Sequence, residues 1–321
     1  MVVREKIPND PPPTTNDQKG RWPAMSGKLP GIAIAVLGGD AREVYLAGHL
    51  AGLGFSVRVF GLPAPEGAPV TVCQSPAQAL AGARAVVLPA PGINERGELY
   101  SPFLERPPVV TEAEFGLLPA GTPVFVGVAR AALKNIAVRR GLLLVELFEL
   151  DEVAILNSIP SAEGAVQLAM EKLPITIHGS ESFVLGFGRT GATLAYLLVA
   201  MGARTTVIAR NPAQRARACQ LNCRAGDFPE LPALIGKADV IFNTVPALVL
   251  PEPLLQKASP QVLIVDLASA PGGVDFEAAG RLGIRAFPAP GLPGKVAPKT
   301  AGRILSRVIP RLLAELLPFP A

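Results

Sequence analysis

The 321-residue chain, 49% hydrophobic and 17% charged, has the length for about two domains and enough apolar residues for large cores. No uninterrupted apolar run reaches the roughly 20 residues of a membrane span, the first residues lack the apolar segment of a secretory signal, and two histidines exclude a His-rich metal site. The net charge of +4 comes from scattered arginines, which argues against nucleic acid as a partner, and three cysteines without a C-x-x-C read as reduced thiols of a cytoplasmic protein.

Residues 1–30, with Pro11-Pro12-Pro13 and little apolar content, read as a disordered extension, and Met25 is a candidate alternative start. Ile32-Ala33-Ile34-Ala35-Val36-Leu37 predicts a buried strand. Gly38-Gly39-Asp40-Ala41-Arg42 follows, then a helix to about Leu53, Gly54, and a strand over residues 56–60. Further strands are predicted over 85–88, 124–128 and 142–146, with a helix over 129–140 between the last two. Pro89-Ala90-Pro91-Gly92 and Pro107-Pro108 mark loops. Alternating strands and helices imply a parallel sheet covered on both faces. We assign 31–157 to a first α/β domain that carries the substrate.

Asn157-Ser158-Ile159-Pro160-Ser161-Ala162-Glu163-Gly164 reads as the crossover between domains, with Pro160 at an early helix position and Ala165, Leu168, Ala169 and Leu173 as its apolar stripe. The second domain, over 158–298, contains Ser182-Phe183-Val184-Leu185-Gly186-Phe187-Gly188-Arg189-Thr190-Gly191. An apolar strand ends in G-x-G-x-x-G, a helical pattern follows to Gly202, and a second strand, Thr205-Thr206-Val207-Ile208-Ala209, comes next. This is the dinucleotide fingerprint in its βαβ context. Gly186 makes the tight turn, Gly188 lets backbone approach a pyrophosphate, and Gly191 lets helix and strand pack closely. Later strands are predicted over 240–243, 262–266 and 284–287. A last helix, over 299–321, starts near Pro298-Lys299-Thr300 and packs back toward the cleft or the first domain. Pro310 is expected to kink it or end it early.

Adding 148 to the residue numbers lays the first βαβ unit on the second, with Val36-Leu37-Gly38 on Val184-Leu185-Gly186 and Gly54 on Gly202. The predicted fold class is therefore α/β, with two Rossmann-like doubly wound parallel-sheet domains and a cleft between them. The copies differ where phosphate would sit: Asp40 stands in place of Gly188, and Glu43 in place of Gly191. An acid there repels phosphate, so only the second unit should bind dinucleotide.

Arg210 lies 19 residues after Gly191, where an NAD-selective enzyme usually carries an acid; its guanidinium suits a 2′-phosphate and predicts NADP, with NAD the alternative. Arg215 and Arg217 follow closely. Ligands in open α/β sheets sit outside the carboxyl ends of strands. Gly186, Gly188, Arg189, Thr190 and Gly191 are therefore joined as cofactor residues by Thr244, Pro246, Ser269 and Gly291 on three further loops. For the substrate, Arg42 at a helix N-terminus and Lys299 at the start of the last helix are candidate carboxylate ligands. Ser158 and Glu163 at the crossover, and His178 before the fingerprint strand, are further catalytic candidates. His49, inside a helix, reads as structural.

Several stretches together resemble one family. Gly38-Gly39-Asp40-Ala41-Arg42, the segment from Asn157 to Gly164, Ile177-His178-Gly179-Ser180 and the fingerprint are similar to the A subunits of dipicolinate synthase. So are Asp266-Leu267-Ala268-Ser269, Pro271-Gly272-Gly273, Ala289-Pro290-Gly291-Leu292-Pro293-Gly294 and Ala297-Pro298-Lys299-Thr300-Ala301-Gly302. The resemblance implies a cytoplasmic enzyme of the sporulating mother cell. It oxidises a dihydrodipicolinate-type intermediate of the lysine/diaminopimelate pathway to pyridine-2,6-dicarboxylate, with NAD(P) as acceptor. It also implies a separate B subunit that resembles flavoprotein decarboxylases, and leaves homo-oligomerisation open. Arg42 and Lys299 would hold the two carboxylates of the substrate. Two other readings fit the domain build: a 2-hydroxy-acid or alanine-type dehydrogenase, which needs a histidine–acid pair or a catalytic lysine in the cleft, and a non-catalytic nucleotide-binding subunit.

Overall fold

The computed structural model describes residues 31–317, so the extension expected over 1–30 lies outside the described residues. The first half of the chain runs β1 (Ala33–Leu37), α1 (Ala41–Gly52), β2 (Ser56–Phe60), β3 (Val70–Val72), α2 (Pro76–Leu80), β4 (Ala85–Val87), α3 (Glu112–Phe115), β5 (Pro123–Val126), α4 (Ala131–Arg140) and β6 (Leu143–Glu146). The chain continues through α5 (Asp151–Lys172), β7 (Glu181–Leu185), α6 (Arg189–Ala200), β8 (Arg204–Ile208), α7 (Pro212–Gln220), β9 (Arg224–Gly226), α8 (Leu231–Leu234) and β10 (Val240–Asn243). It ends with α9 (Glu252–Leu255), β11 (Leu263–Asp266), α10 (Phe276–Arg281), β12 (Arg285–Pro288), α11 (Leu292–Val296) and α12 (Pro298–Leu316).

The strands form two parallel six-stranded sheets, β3-β2-β1-β4-β5-β6 and β12-β11-β10-β7-β8-β9. Read from each unit's own first strand, the order is the same doubly wound one. The internal repeat is also closer than the motifs alone indicate. A shift of 148 carries β1, α1 and β2 onto β7, α6 and β8 with no offset at any boundary. Strands buried on both faces explain the continuous apolar runs. Ile34 and Val36 pack toward Leu46, Leu50, Ile309 and Leu313 on one face of the first sheet. Ala35 and Leu37 pack toward Leu80, Phe115 and Leu133 on the other. In the second sheet Val184 faces Leu194 and Leu198, while Phe183 and Leu185 face Leu231, Ile235 and Leu255.

Two helices depart from expectation, both at a proline. The crossover segment 157–164 lies inside a helix: α5 begins six residues earlier, at Asp151, and carries Pro160 in its interior rather than at an early position. The division set between 157 and 158 thus falls within one continuous helix. Pro310 neither ends nor shortens α12, which continues to Leu316. An interior proline costs a helix roughly 3 kcal/mol, and here each helix has a buried apolar face to offset it. Val153, Ala162, Ala165, Val166 and Ala169 line that face in α5, and Ile304, Leu305, Ile309, Leu312 and Leu313 in α12. After the second sheet is complete, α12 returns to the first sheet and packs along α1.

Candidate functional site

Each sheet reverses its strand order between its first and fourth strands, β1 and β4 or β7 and β10. A crevice opens at such a switch point beyond the carboxyl ends of the strands. In the second sheet the fingerprint loop occupies it. Gly186 has φ +90°, where a Cβ would strike Thr244 Oγ1 at 2.5 Å. A Cβ on Gly191 would lie 2.3 Å from the Gly186 carbonyl oxygen, so the helix can approach the strand only as glycine. Gly188 differs: a Cβ there meets nothing within 4 Å. Its side faces open space, and it caps α6 without any side-chain hydrogen bond to the helix. The first N–H groups of α6 are left for a ligand.

The cleft in front of them has a volume of about 620 Å³ and is lined by Gly186, Gly188, Arg189, Thr190, Gly191, Arg210, Thr244, Pro246 and Ser269, among others. Every cofactor residue expected from sequence is there except Gly291. Gly291 has φ +68° and starts α11, whose Leu292 and Val296 pack against Gly164 of α5. It turns the chain between domains rather than bordering the cleft. Arg189 also reaches across to the Phe148 carbonyl, 3.4 Å, and to Asp151, 3.2 Å.

Arg210 is exposed on the cleft and makes no ion pair among the described residues. Arg215, by contrast, donates to the carbonyls of Ala209 and Arg210 at 2.8 and 2.9 Å and pairs with Asp227. It braces the turn that presents Arg210. Arg217 bonds Gln220 on α7.

Two buried residues that brace this cleft without lining it were not picked out from sequence. Asn243 and Asp266 are 0% and 3% exposed at the ends of β10 and β11. Asn243 Nδ2 donates to Asp266 Oδ1 at 2.8 Å and to the Val245 carbonyl at 3.0 Å. Asp266 also accepts from the Ala268 and Gly273 amides. The pair ties together the two loops that carry Thr244, Pro246 and Ser269. The signal was present: each is the one polar residue closing an otherwise apolar buried strand.

The first sheet's equivalent loop is closed by its own side chains. Asp40 caps α1, its Oδ1 accepting from the Arg42 amide at 3.0 Å, and Glu43 reaches back to accept from the Asp40 amide at 2.8 Å. Arg42 is only 6% exposed and donates both arms of its fork to Asp40, Nε and Nη2 each at 2.9 Å. α11 lies directly over it, where a Cβ on Gly294 would sit 2.7 Å from Arg42 Nε. The expectation that Arg42 grips a substrate carboxylate is corrected: its fork is filled by a carboxylate two residues away. Burial works to raise the Asp40 carboxyl, but the hydrogen bonds and charge of Arg42 outweigh it and hold Asp40 below the usual range. Glu43 lacks such pairing, and burial pushes it up to about 7 against the pull of Arg42.

The other catalytic candidates are not brought together. Ser158 is buried, donates to the Ile155 carbonyl and shares a 2.6 Å hydrogen bond with Thr193, joining α5 to α6. Glu163 lies exposed beside Met170 and Met201, on a groove between α5 and α6 that shares no residue with the fingerprint cleft. His178 packs its ring on Gly202. It precedes β7 and so lies at the edge of the sheet opposite the fingerprint. Lys299 lines a separate cavity between α1 and α12.

Two parallel doubly wound sheets, with a glycine-lined cleft at the switch point of the second, define a two-domain Rossmann-like protein. The transhydrogenase of Sinorhizobium meliloti shares this fold at 17% identity, with a TM-score of 0.63 over 88% of this chain and 95% of that one. Residues 33–148 match the family model of the N-terminal domain of the dipicolinate synthase A subunit. The A subunit of dipicolinate synthase from Bacillus subtilis is 38% identical over 90% of this chain and 98% of its own length. The crystal structure of the Bacillus halodurans A subunit superposes with a TM-score of 0.86 at 36% identity, covering 90% and 99% of the two chains. The chain belongs to the family of dipicolinate synthase A subunits.

Proposed function

We propose that the chain binds a nicotinamide dinucleotide in the second-sheet cleft, NADP in preference to NAD, and oxidises a dihydrodipicolinate-type substrate to pyridine-2,6-dicarboxylate. The observation that carries this reading is the uncapped α6 N-terminus behind Gly188, in a cleft of about 620 Å³ that also holds the unpaired Arg210. The amides of α6 would hold the pyrophosphate, Arg210 the 2′-phosphate, and the loops of Thr244 and Ser269 the nicotinamide end. A bound oxidised nicotinamide supplies the two-electron acceptor. The cleft would orient the substrate ring against it, and the proton that the ring loses with the hydride passes to water. Aromatisation makes the step downhill, so positioning matters more than a strong base.

Nothing in the site demands a histidine. The two histidines, His49 and His178, lie on a separate cavity and at the far sheet edge. A 2-hydroxy-acid oxidation that relies on histidine has no candidate there. The non-catalytic reading draws support from one observation, the filled fork of Arg42, and would put the chemistry in a partner B subunit. One experiment separates the two: supply dihydrodipicolinate and NADP⁺ with and without that partner. Our reading expects reduced nicotinamide and dipicolinate to appear together in both arms. Product formed only with the partner, and without nucleotide reduction, would contradict it.

A further inference from the structure

A cavity of about 780 Å³ lies outside the proposed nucleotide cleft and shares no lining residue with it. Its walls are α1, the loop of residues 63–69 and the first turns of α12. Pro63, Pro65 and Pro69 stiffen the loop wall, and α1 meets it closely at Gly48, where a Cβ would lie 3.1 Å from Pro65.

The charges in this cavity are unbalanced. Lys299 and Arg303 stand one turn apart on α12, both exposed, and neither makes an ion pair among the described residues. Glu66 is the one carboxylate on the lining. His49 faces the same space; partial burial and then the charges of Arg303 and Arg307 lower its pKa, as expected in a positive field. Two aromatic rings border the cavity as well, Tyr45 at 45% and Phe103 at 44% exposure. Residues four apart on a helix are neighbours, so two cations project side by side over apolar, aromatic walls.

We propose that this cavity is a second anion site for a small dicarboxylate with a flat apolar body, separate from the dinucleotide cleft. Arg303 offers its planar fork to one carboxylate, Lys299 its point charge to the other, and Tyr45 and Phe103 pack on the ring between them. A ligand of the product's chemical class would then occupy the protein away from the reacting centre, as an effector. The ligand class rests on the proposed function. The two can fail separately, because the nucleotide site is read by dinucleotide titration and this site by dicarboxylate titration alone.

The test is calorimetric titration of the full chain with pyridine-2,6-dicarboxylate, in the absence of nucleotide and again at saturating NADP⁺. One equivalent is expected to bind without nucleotide, and NADP⁺ should leave the affinity of that equivalent unchanged. Lys299→Ala and Arg303→Ala should each weaken it by about tenfold or more, the loss of one charge-assisted contact. Arg303→Lys should recover only part, and the single-carboxylate analogue pyridine-2-carboxylate should bind more weakly by a similar factor. All variants should keep wild-type dinucleotide affinity, which also shows that they fold. Undiminished binding in the double variant Lys299→Ala/Arg303→Ala would overturn the proposal. So would displacement by NADP⁺ or no binding to the wild type.

Discussion

The loops after β1 and β7 are two solutions of one problem. Both leave a parallel strand through a glycine with positive φ, +61° at Gly38 and +90° at Gly186. Both start a 12-residue helix from a cap of similar backbone, with φ −114° and ψ −158° at Asp40 and φ −82° and ψ −160° at Gly188. A helix N-terminus leaves N–H groups without partners inside the helix. In the first unit Asp40 and Glu43 satisfy them from within, and Arg42 neutralises Asp40. In the second unit glycines at both places leave them to a ligand. A helix N-terminus can therefore be closed or left open by two side chains while the backbone scarcely changes.

The sharpest way to break this contrast is to write the first cap into the second loop. Gly188→Asp places its Cβ in open space, so the fold should persist, and an N-cap aspartate should stabilise α6 by about 1 kcal/mol. The same carboxylate lies in the phosphate path, so dinucleotide binding should fall below detection. Thermal melting with and without NADP⁺ reads both signs at once.

The next effect lies in the first loop. Burial raises folded Glu43 to about 7 from an ordinary value of 4.5, so the fold favours the protonated form. That contribution is complete below about pH 4.5 and is lost as pH rises through about 7, with a total of roughly 3 kcal/mol. Asp40, held below the usual range, acts in the opposite sense and only at lower pH. Denaturant unfolding from pH 5 to 8 should show wild-type stability declining relative to Glu43→Gln, which still accepts from the Asp40 amide. Parallel profiles would contradict the buried, unpaired carboxyl. The smallest effect concerns cofactor choice. Arg210→Asp should shift preference from NADP toward NAD by about tenfold, roughly 1.5 kcal/mol for one charge-assisted contact. A wild type that already prefers NAD would remove the role given to Arg210.

The repeated βαβ was legible in the sequence because its periodicities and glycines are local signals, and its boundaries agree residue by residue after the shift of 148. The grouping of residues 186–191, Arg210, Thr244, Pro246 and Ser269 around one cleft was legible for the same reason. What sequence could not supply was side-chain pairing. Spacing shows Arg42 at a helix start but not that its fork turns back onto Asp40. Pro160 and Pro310 carry strong local preferences, and tertiary burial of α5 and α12 overrides them. His178 could have been set aside from sequence alone, since a residue preceding a parallel strand lies at the edge away from the ligand. The small elements β3, α2 and α3 went unread because three to five residues hold too little periodicity.

We propose that only the second of the two matched loops takes dinucleotide, and amide hydrogen exchange on the full chain, with and without saturating NADP⁺, tests this most directly. New protection is expected over residues 186–192 and around Arg210, with residues 38–44 unchanged. Protection at 38–44, or none at the fingerprint, would contradict it.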